Sequence, residues 1–284
     1  MASISATRAI CIFLLAASAS SAPAQQKATP PKSVRLYVFD CGSLDIPDTS
    51  PYQLKKEELA TNMMSVPCFL VAHPKGTMMW DTGAIPDSSF KPGAPGTLRY
   101  AKSTRLLTAQ LAEVGYVPAD INYLALSHFH WDHVGNSNLF AHSTWLVTKL
   151  EKDVMFVDPP SPRTEPANYS ALRNSRTVLI TKNEYDVFGD RTVVIKAAPG
   201  HSPGHQVLFL KLAKTGPVVL SGDLYHYPEE RRLNRLPTTE FNVEQTAASR
   251  ASIEAFLKQT GAQLWIQHDY TANAKLRKAP SYYE

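Results

Sequence analysis

Residues 126–136 read LSHFHWDHVGN, so His128, His130, Asp132 and His133 fall within six residues of a chain that has nine histidines in all. Imidazole nitrogens and carboxylate oxygens hold zinc-like ions at about 2.0–2.2 Å, and a tetrahedral ion takes four ligands at most. In a loop leaving a strand, alternate residues such as His128 and His130 point one way. After the chain turns, Asp132 and His133 reach a neighbouring spot. One loop offering four ligands therefore points to two ions, each completed from elsewhere. His201 in APGHSPGH, Asp223 in LSGDLYH and His268 in LWIQHD each follow an apolar run that reads as a strand. The fold must then gather several strand ends at one edge of its sheets. A lone histidine is more often a surface or hydrogen-bonded residue, and His73 and His142 are read that way. His205, the second histidine of its tight turn, is read as structural.

The runs between these motifs alternate in type. Residues 34–40, 67–73 and 77–81 are apolar and β-branched, the last two joined by a turn at 74–76 into a hairpin. TRLLTAQLAEVG reads as a helix with Leu106, Leu107, Leu111 and Val114 on one side and Gly115 as its stop. Residues 121–127 read as a buried strand. Later, 192–198, 205–212, 216–222 and 263–267 read as strands, and the helix opening at Asn242, with Gln245 three residues on, closes at Gly261. This alternation predicts mixed α/β layers in one domain over residues 34–284, with no tandem repeat. Residues 43–65 and 85–103, rich in Pro, Gly and Ser, read as long functional loops. Met63, Met64, Phe90, Leu98 and Tyr100 within them are candidates to line an apolar groove.

The formal charge of +4 is spread along the chain, with no basic block of the kind a nucleic-acid partner requires. Residues 1–24 read as an export signal: Arg8, an apolar run over 9–17, and Ala22-Pro23-Ala24 as the cleavage pattern. The apolar run falls short of the about 20 residues a bilayer span needs. Cleavage after Ala24 leaves a flexible lead-in at 25–33 and a mature form expected in the periplasm or outside the cell, without membrane contact. Cys11 leaves with the signal. Cys41 and Cys68 stand outside any C-x-x-C pair and read as one disulfide or as two separate thiols.

With these residues in view, the chain resembles the metallo-β-lactamase superfamily. The similarity runs through WDTG at 80–83, HFHWDH, His201, Asp223 and His268, nearly the whole mature length. The resemblance implies an αβ/βα sandwich, two mixed β-sheets flanked by helices, with metals at one edge between the sheets. It implies that His128, His130 and His201 hold one divalent ion and Asp132, His133 and His268 a second. Asp223 would bridge them, and Asp81 would orient ligands from behind. Zinc is the default, although His/Asp sites also accept iron, cobalt and manganese.

Within the superfamily, PGHSPGHQ at 199–206 and the pair His268-Asp269 are similar to N-acyl-homoserine lactonases. That implies a hydrolase that opens an acyl lactone, a small-molecule partner, by attack of a hydroxide shared between two ions. Asp132 or Asp223 would carry the proton to the leaving oxygen. Lactonases of this kind often place a tyrosine three residues after the bridging aspartate. Here that position is His226, between Tyr225 and Tyr227, so His226 or Tyr225 is the expected substrate contact. Exported organophosphate hydrolases share the ligand set and a signal segment, and remain the alternative. Asp223 sets the chain apart from true β-lactamases, and a non-catalytic metal-binding protein leaves seven filled ligand positions unexplained. A homodimer is left open.

Overall fold

A computed structural model describes Ala2 and residues 28–284. Apart from Ala2, the expected export segment lies outside the described residues. The chain runs β1 (Arg35–Asp45), β2 (Met63–His73), β3 (Gly76–Trp80), β4 (Gly96–Leu98), β5 (Ala101–Ser103), α1 (Leu107–Glu113), β6 (Tyr123–Ala125), β7 (Thr144–Thr148), α2 (Lys149–Met155) and β8 (Thr177–Ile180). It continues through β9 (Glu184–Asp186), β10 (Val193–Ala197), β11 (Gln206–Leu212), β12 (Gly216–Leu220), α3 (Pro228–Leu233), α4 (Val243–Thr260), β13 (Gln263–Trp265), α5 (Tyr270–Lys275) and β14 (Tyr282–Tyr283).

Among the described residues, β4-β5-β1-β2-β3-β6-β7-β8 form one mixed sheet, with β14 beside β1, and β13-β12-β11-β10-β9 form a second. β3, β6, β7 and β8 run parallel, as do β12 and β13. Strand period dictates the layering. Leu36 and Val38 point into the space between the sheets, where they meet Ile195, Leu208 and Leu220. Tyr37 and Phe39, one residue out of phase, face the opposite side with Leu107 and Leu111 of α1 and Met155 of α2. On the second sheet Val194 and Phe209 turn outward to Ile253 and Leu257 of α4. Alternate residues of buried strands feed different layers, and the result is helix, sheet, sheet, helix.

The hairpin of β2 and β3 lies where the sequence puts it. Asn242 caps α4 by accepting the Gln245 N–H at 2.9 Å, and Gly261 closes it with φ +67°. The two expected loops are a correction. β1 runs on to Asp45 past a register shift between Asp40 and Ser43, and β2 already begins at Met63. β4 and β5 fold residues 96–103 into a hairpin whose second strand pairs Ser43 with Lys102. A bulge carries a strand through turn-like residues, and short strands on a sheet edge leave little periodicity to read. Of the two readings for the cysteines, the structure takes the disulfide: Cys41 joins Cys68, linking β1 to β2.

Candidate metal centre

Every residue of the centre comes from the chain just past a strand end. His128 to His133 follow β6, His201 follows β10, Asp223 follows β12, and His268 follows β13. All seven expected ligands are buried. His128, His130, His201 and Asp223 offer atoms within 4.8 Å of one another, and so do Asp132, His133 and His268. The Asp223 carboxylate is divided between the groups. Its Oδ2 lies 3.5 Å from His128 Nε2 and 3.3 Å from His201 Nε2. Its Oδ1 lies 3.1 Å from both His133 Nε2 and His268 Nε2. Asp132 Oδ2 closes the second group at 3.7 Å from His133 and 3.5 Å from His268.

The outward nitrogens of four of these rings are engaged, which fixes the nitrogen that faces inward. His133 Nδ1 meets Asp81 Oδ2 at 2.9 Å, His268 Nδ1 meets the Ser65 carbonyl at 2.7 Å, and His201 Nδ1 meets Glu240 at 3.3 Å. His128 Nδ1 sits 3.1 Å from Ser127 Oγ. His130 instead turns Nδ1 inward, 2.9 Å from His201 Nε2. Carboxylate and carbonyl partners behind ligating imidazoles are the usual means of fixing tautomer and aim. Asp81 takes this role at a cost. It holds φ +55°, an uncommon conformation for a non-glycine residue, and accepts from Ser127 N, Ser127 Oγ and Gln267 Nε2 at 2.6–2.9 Å.

Electrostatics sort the rings. Burial and the neighbouring imidazoles push His128 and His130 well below the ordinary histidine value. Burial opposes charge on His133 too, but Asp223, Asp132 and Asp81 together hold it well above that value. His201 is treated alike: Glu240 and Asp223 outweigh burial and bring it to about 9. A field that favours imidazolium favours a metal cation in its place. Two buried atoms facing the centre, His133 Nε2 and Asp223 Oδ1, have no hydrogen-bond partner among the described residues. They lie 3.1 Å apart without a hydrogen bond between them. An unsatisfied buried polar atom costs about 1–3 kcal/mol. A donor set of histidine nitrogens and carboxylate oxygens with two such orphans fits a pair of divalent ions.

His205 is buried and outside both ligand groups. Its Nδ1 bonds the Ala198 carbonyl and its Nε2 accepts the Asp223 N–H, both at 2.9 Å. Burial lowers its pKa to about 4, which keeps it neutral as that pairing needs. His205 thus sets the backbone of Asp223. His142 is exposed; His73 is buried, 2.9 Å from Asp190.

A pocket of about 310 Å³ opens over the centre, lined among others by Leu44, Ile46, Tyr52, Met64, Tyr100 and Trp131. His226 lines it too, with Nε2 3.5 Å from Asp223 Oδ2 and Nδ1 3.1 Å from Glu230. Tyr225 is a correction. Its hydroxyl bonds Glu254 at 3.1 Å and its ring packs with Ile253 and Leu257 on the far face of the second sheet. The Tyr227 hydroxyl goes to the Asn62 carbonyl. Of the groove candidates, Met64 and Tyr100 line the pocket. Phe90 and Leu98 pack against the core instead, and Met63 lies by Tyr227 and Tyr270. Sequence reasoning missed Tyr52, whose ring centroid lies 4.8 Å from that of His226 and whose hydroxyl has no partner among the described residues. It also missed Glu230 and Glu240. Glu230 and Glu240 sit in stretches without a motif, and Tyr52, though inside the 43–65 loop, has no motif to single it out there.

A family model described as the metallo-beta-lactamase superfamily matches residues 62–265. The N-acyl homoserine lactonase AttM of Azorhizobium caulinodans is 28% identical over 271 residues, covering 88% of this chain and 99% of that protein. The N-acyl homoserine lactonase of Bacillus cereus is 26% identical over 235 residues, covering 78% and 88%. A crystal structure of a quorum-quenching N-acyl homoserine lactone lactonase superposes with a TM-score of 0.72 at 25% identity, covering 88% of this chain and 98% of the other.

Proposed function

The chain belongs to the metallo-β-lactamase superfamily, and from that membership we propose that it hydrolyses the ring ester of N-acyl homoserine lactones with two divalent ions. The observation that carries this reading is the Asp223 carboxylate, whose two oxygens face two separate ligand groups. The curated relatives that span this chain are named for lactone hydrolysis. His128, His130 and His201 would hold one ion, Asp132, His133 and His268 the other, with Asp223 shared. Zinc suits these ligands, with iron, cobalt and manganese open to supply. When bound, the ions supply water activation and polarisation of the carbonyl.

The chain's own residues supply binding, exclusion of water and proton movement. Leu44, Ile46, Met64 and Trp131 offer the acyl chain an apolar wall over the centre. Asp132 and Asp223 are placed to take a proton from the attacking water. His226 faces the same space. Its Nδ1 rests 3.1 Å from Glu230, whose other oxygen is held 2.5 Å from the Arg250 guanidinium. That pairing fixes the ring so that Nε2 faces the centre, where its N–H can donate to the leaving oxygen. The mature enzyme is read as exported, and the Cys41–Cys68 disulfide supports an oxidising compartment.

The test is three substrates in parallel on metal-loaded protein: an acyl homoserine lactone followed by proton release, nitrocefin and paraoxon. The lactone should exceed the other two by roughly 10²-fold or more in kcat/KM, since specificity is a ratio of transition-state binding. Faster turnover of paraoxon would move the assignment to phosphotriester hydrolysis.

A further inference from the structure

We propose that Arg163, which shares its pocket with Arg99, is a receptor for a negatively charged group on the acyl part of the substrate, so that the preferred lactones end in a carboxylate. The inference rests on the lactonase reading of the metal centre and narrows its substrate class. Arg163 lies in the connection between α2 and β8, and its carbonyl accepts the Trp131 N–H at 3.0 Å. That bond ties it to the ligand loop between His130 and Asp132. It lines the same pocket as His130, Asp132 and His201.

The Arg163 side chain is half-buried, and its guanidinium makes no hydrogen bond or ion pair among the described residues. The acids near the mouth are otherwise engaged. Asp48 also lines the pocket, but its carboxylate takes Ser50 N and Oγ, each at 2.9 Å. Glu165 reaches Arg99 at 3.5 Å. Arg99 holds φ +53° and lays its guanidinium 5.2 Å from the Trp131 ring centre. A non-glycine residue kept left-handed at a pocket rim is strain that the surroundings must hold in place.

A guanidinium that makes no hydrogen bond among the described residues keeps all its donors for a ligand. Its planar fork matches a carboxylate with two parallel bonds. A methyl-ended acyl chain gives it nothing. The apolar residues of the pocket accept the chain's methylenes, and Arg163 accepts its charged end.

The experiment compares two homoserine lactones of equal acyl length, one ending in methyl and one in carboxylate. Wild type should favour the carboxylate by about ten-fold in kcat/KM at low salt, as one charge-assisted pair allows. The preference should shrink as salt rises. Arg163→Gln should collapse the ratio toward one, and Arg163→Lys should restore part of it. Equal rates on both lactones in wild type would overturn the proposal. So would an Arg163→Gln variant that slows both alike, which would assign the guanidinium to the shared amide carbonyl. If neither lactone is opened, the lactonase reading fails, and calorimetry on the same metal-loaded protein decides the subsite. Alkanedioates binding tighter than alkanoates of matched length, with the gain lost in Arg163→Gln, would uphold the receptor; equal binding would overturn it.

Discussion

The Glu151 carboxylate holds the Ser202 hydroxyl between its two oxygens, at 2.9 and 2.7 Å, and so joins the two loops that carry the histidines of the first ligand group. Ser202 follows His201. The same carboxylate accepts the Phe129 N–H at 2.7 Å, between His128 and His130, and the Gly204 N–H at 2.8 Å. Glu151 sits in the first turn of α2, whose N-cap Thr148 accepts the Glu151 N–H. The approach needs a glycine opposite: a Cβ on Gly204 would lie 1.9 Å from Thr148 Oγ1. Burial raises the Glu151 pKa to about 7, against the pull of its three donors.

Glu151→Gln keeps the shape but turns an N–H group toward donors, which costs about 1–3 kcal/mol. Metal affinity should fall about 10–100-fold, the range for losing an outer partner of a metal site, read by competition with a chromophoric chelator. The pH sign follows from the raised pKa. Between its ordinary 4.5 and about 7 the folded protein keeps a proton that the unfolded chain has lost. This group's contribution to stability therefore falls as pH rises through that window and levels off above it, by about 3 kcal/mol at most. Denaturation of Glu151→Gln across that window should lack this slope; an unchanged curve would remove Glu151 from the account.

Asp223→Ser deletes both oxygens that face the ligand groups while leaving the N–H that His205 accepts. Wild type should carry two ions at saturation by elemental analysis and the variant fewer. With the shared carboxylate gone, kcat on the lactone should drop by about 10²-fold or more, as for misplaced reacting groups. A single ion at saturation in wild type with full activity would sink the dinuclear reading.

The sheets and the ligand group were legible for a physical reason: both are local patterns. Buried strands such as β10 and β11 are apolar runs, and HFHWDH is a dense cluster that a solvated loop does not require. Longer reach was not legible. Glu240 lies 39 residues from His201, and Tyr52 meets His226 from a loop near the other end of the chain. No local motif singles out such residues, even where, as for Tyr52, the loop around them stands out. Tyr225 misled because the spacing of one side chain was read without its direction. Residues in extended backbone alternate sides, so adjacent positions face opposite ways. His226 turns to the metal centre and Tyr225 to α4.

Export predicts a mature N-terminus at or near Gln25, released beyond the cytoplasm of a bacterial host. N-terminal sequencing of the active soluble protein reads this directly. Active soluble protein that retains Arg8 would refute it.

The final prediction separates three aromatic side chains near Asp223. His226 Nε2 is 3.5 Å from Asp223 Oδ2, inside the pocket, with Glu230 behind it. His226→Ala should cost roughly 10–10³-fold in kcat/KM, the range for one lost donor or acid. Metal content should hold, because His226 lies outside the seven proposed ligands. Tyr52 offers an unpartnered hydroxyl beside that ring. Tyr52→Phe should raise KM by about three- to ten-fold with little change in kcat, as for a contact made equally in ground and transition states. Tyr225 spends its hydroxyl on Glu254 and lies under the Arg250 guanidinium, outside the pocket. Tyr225→Phe should keep near-normal turnover and lose about 1 kcal/mol of stability, one hydrogen bond's worth. A crippled Tyr225→Phe beside a near-normal His226→Ala would hand the substrate contact to the tyrosine, against the geometry that turns it away.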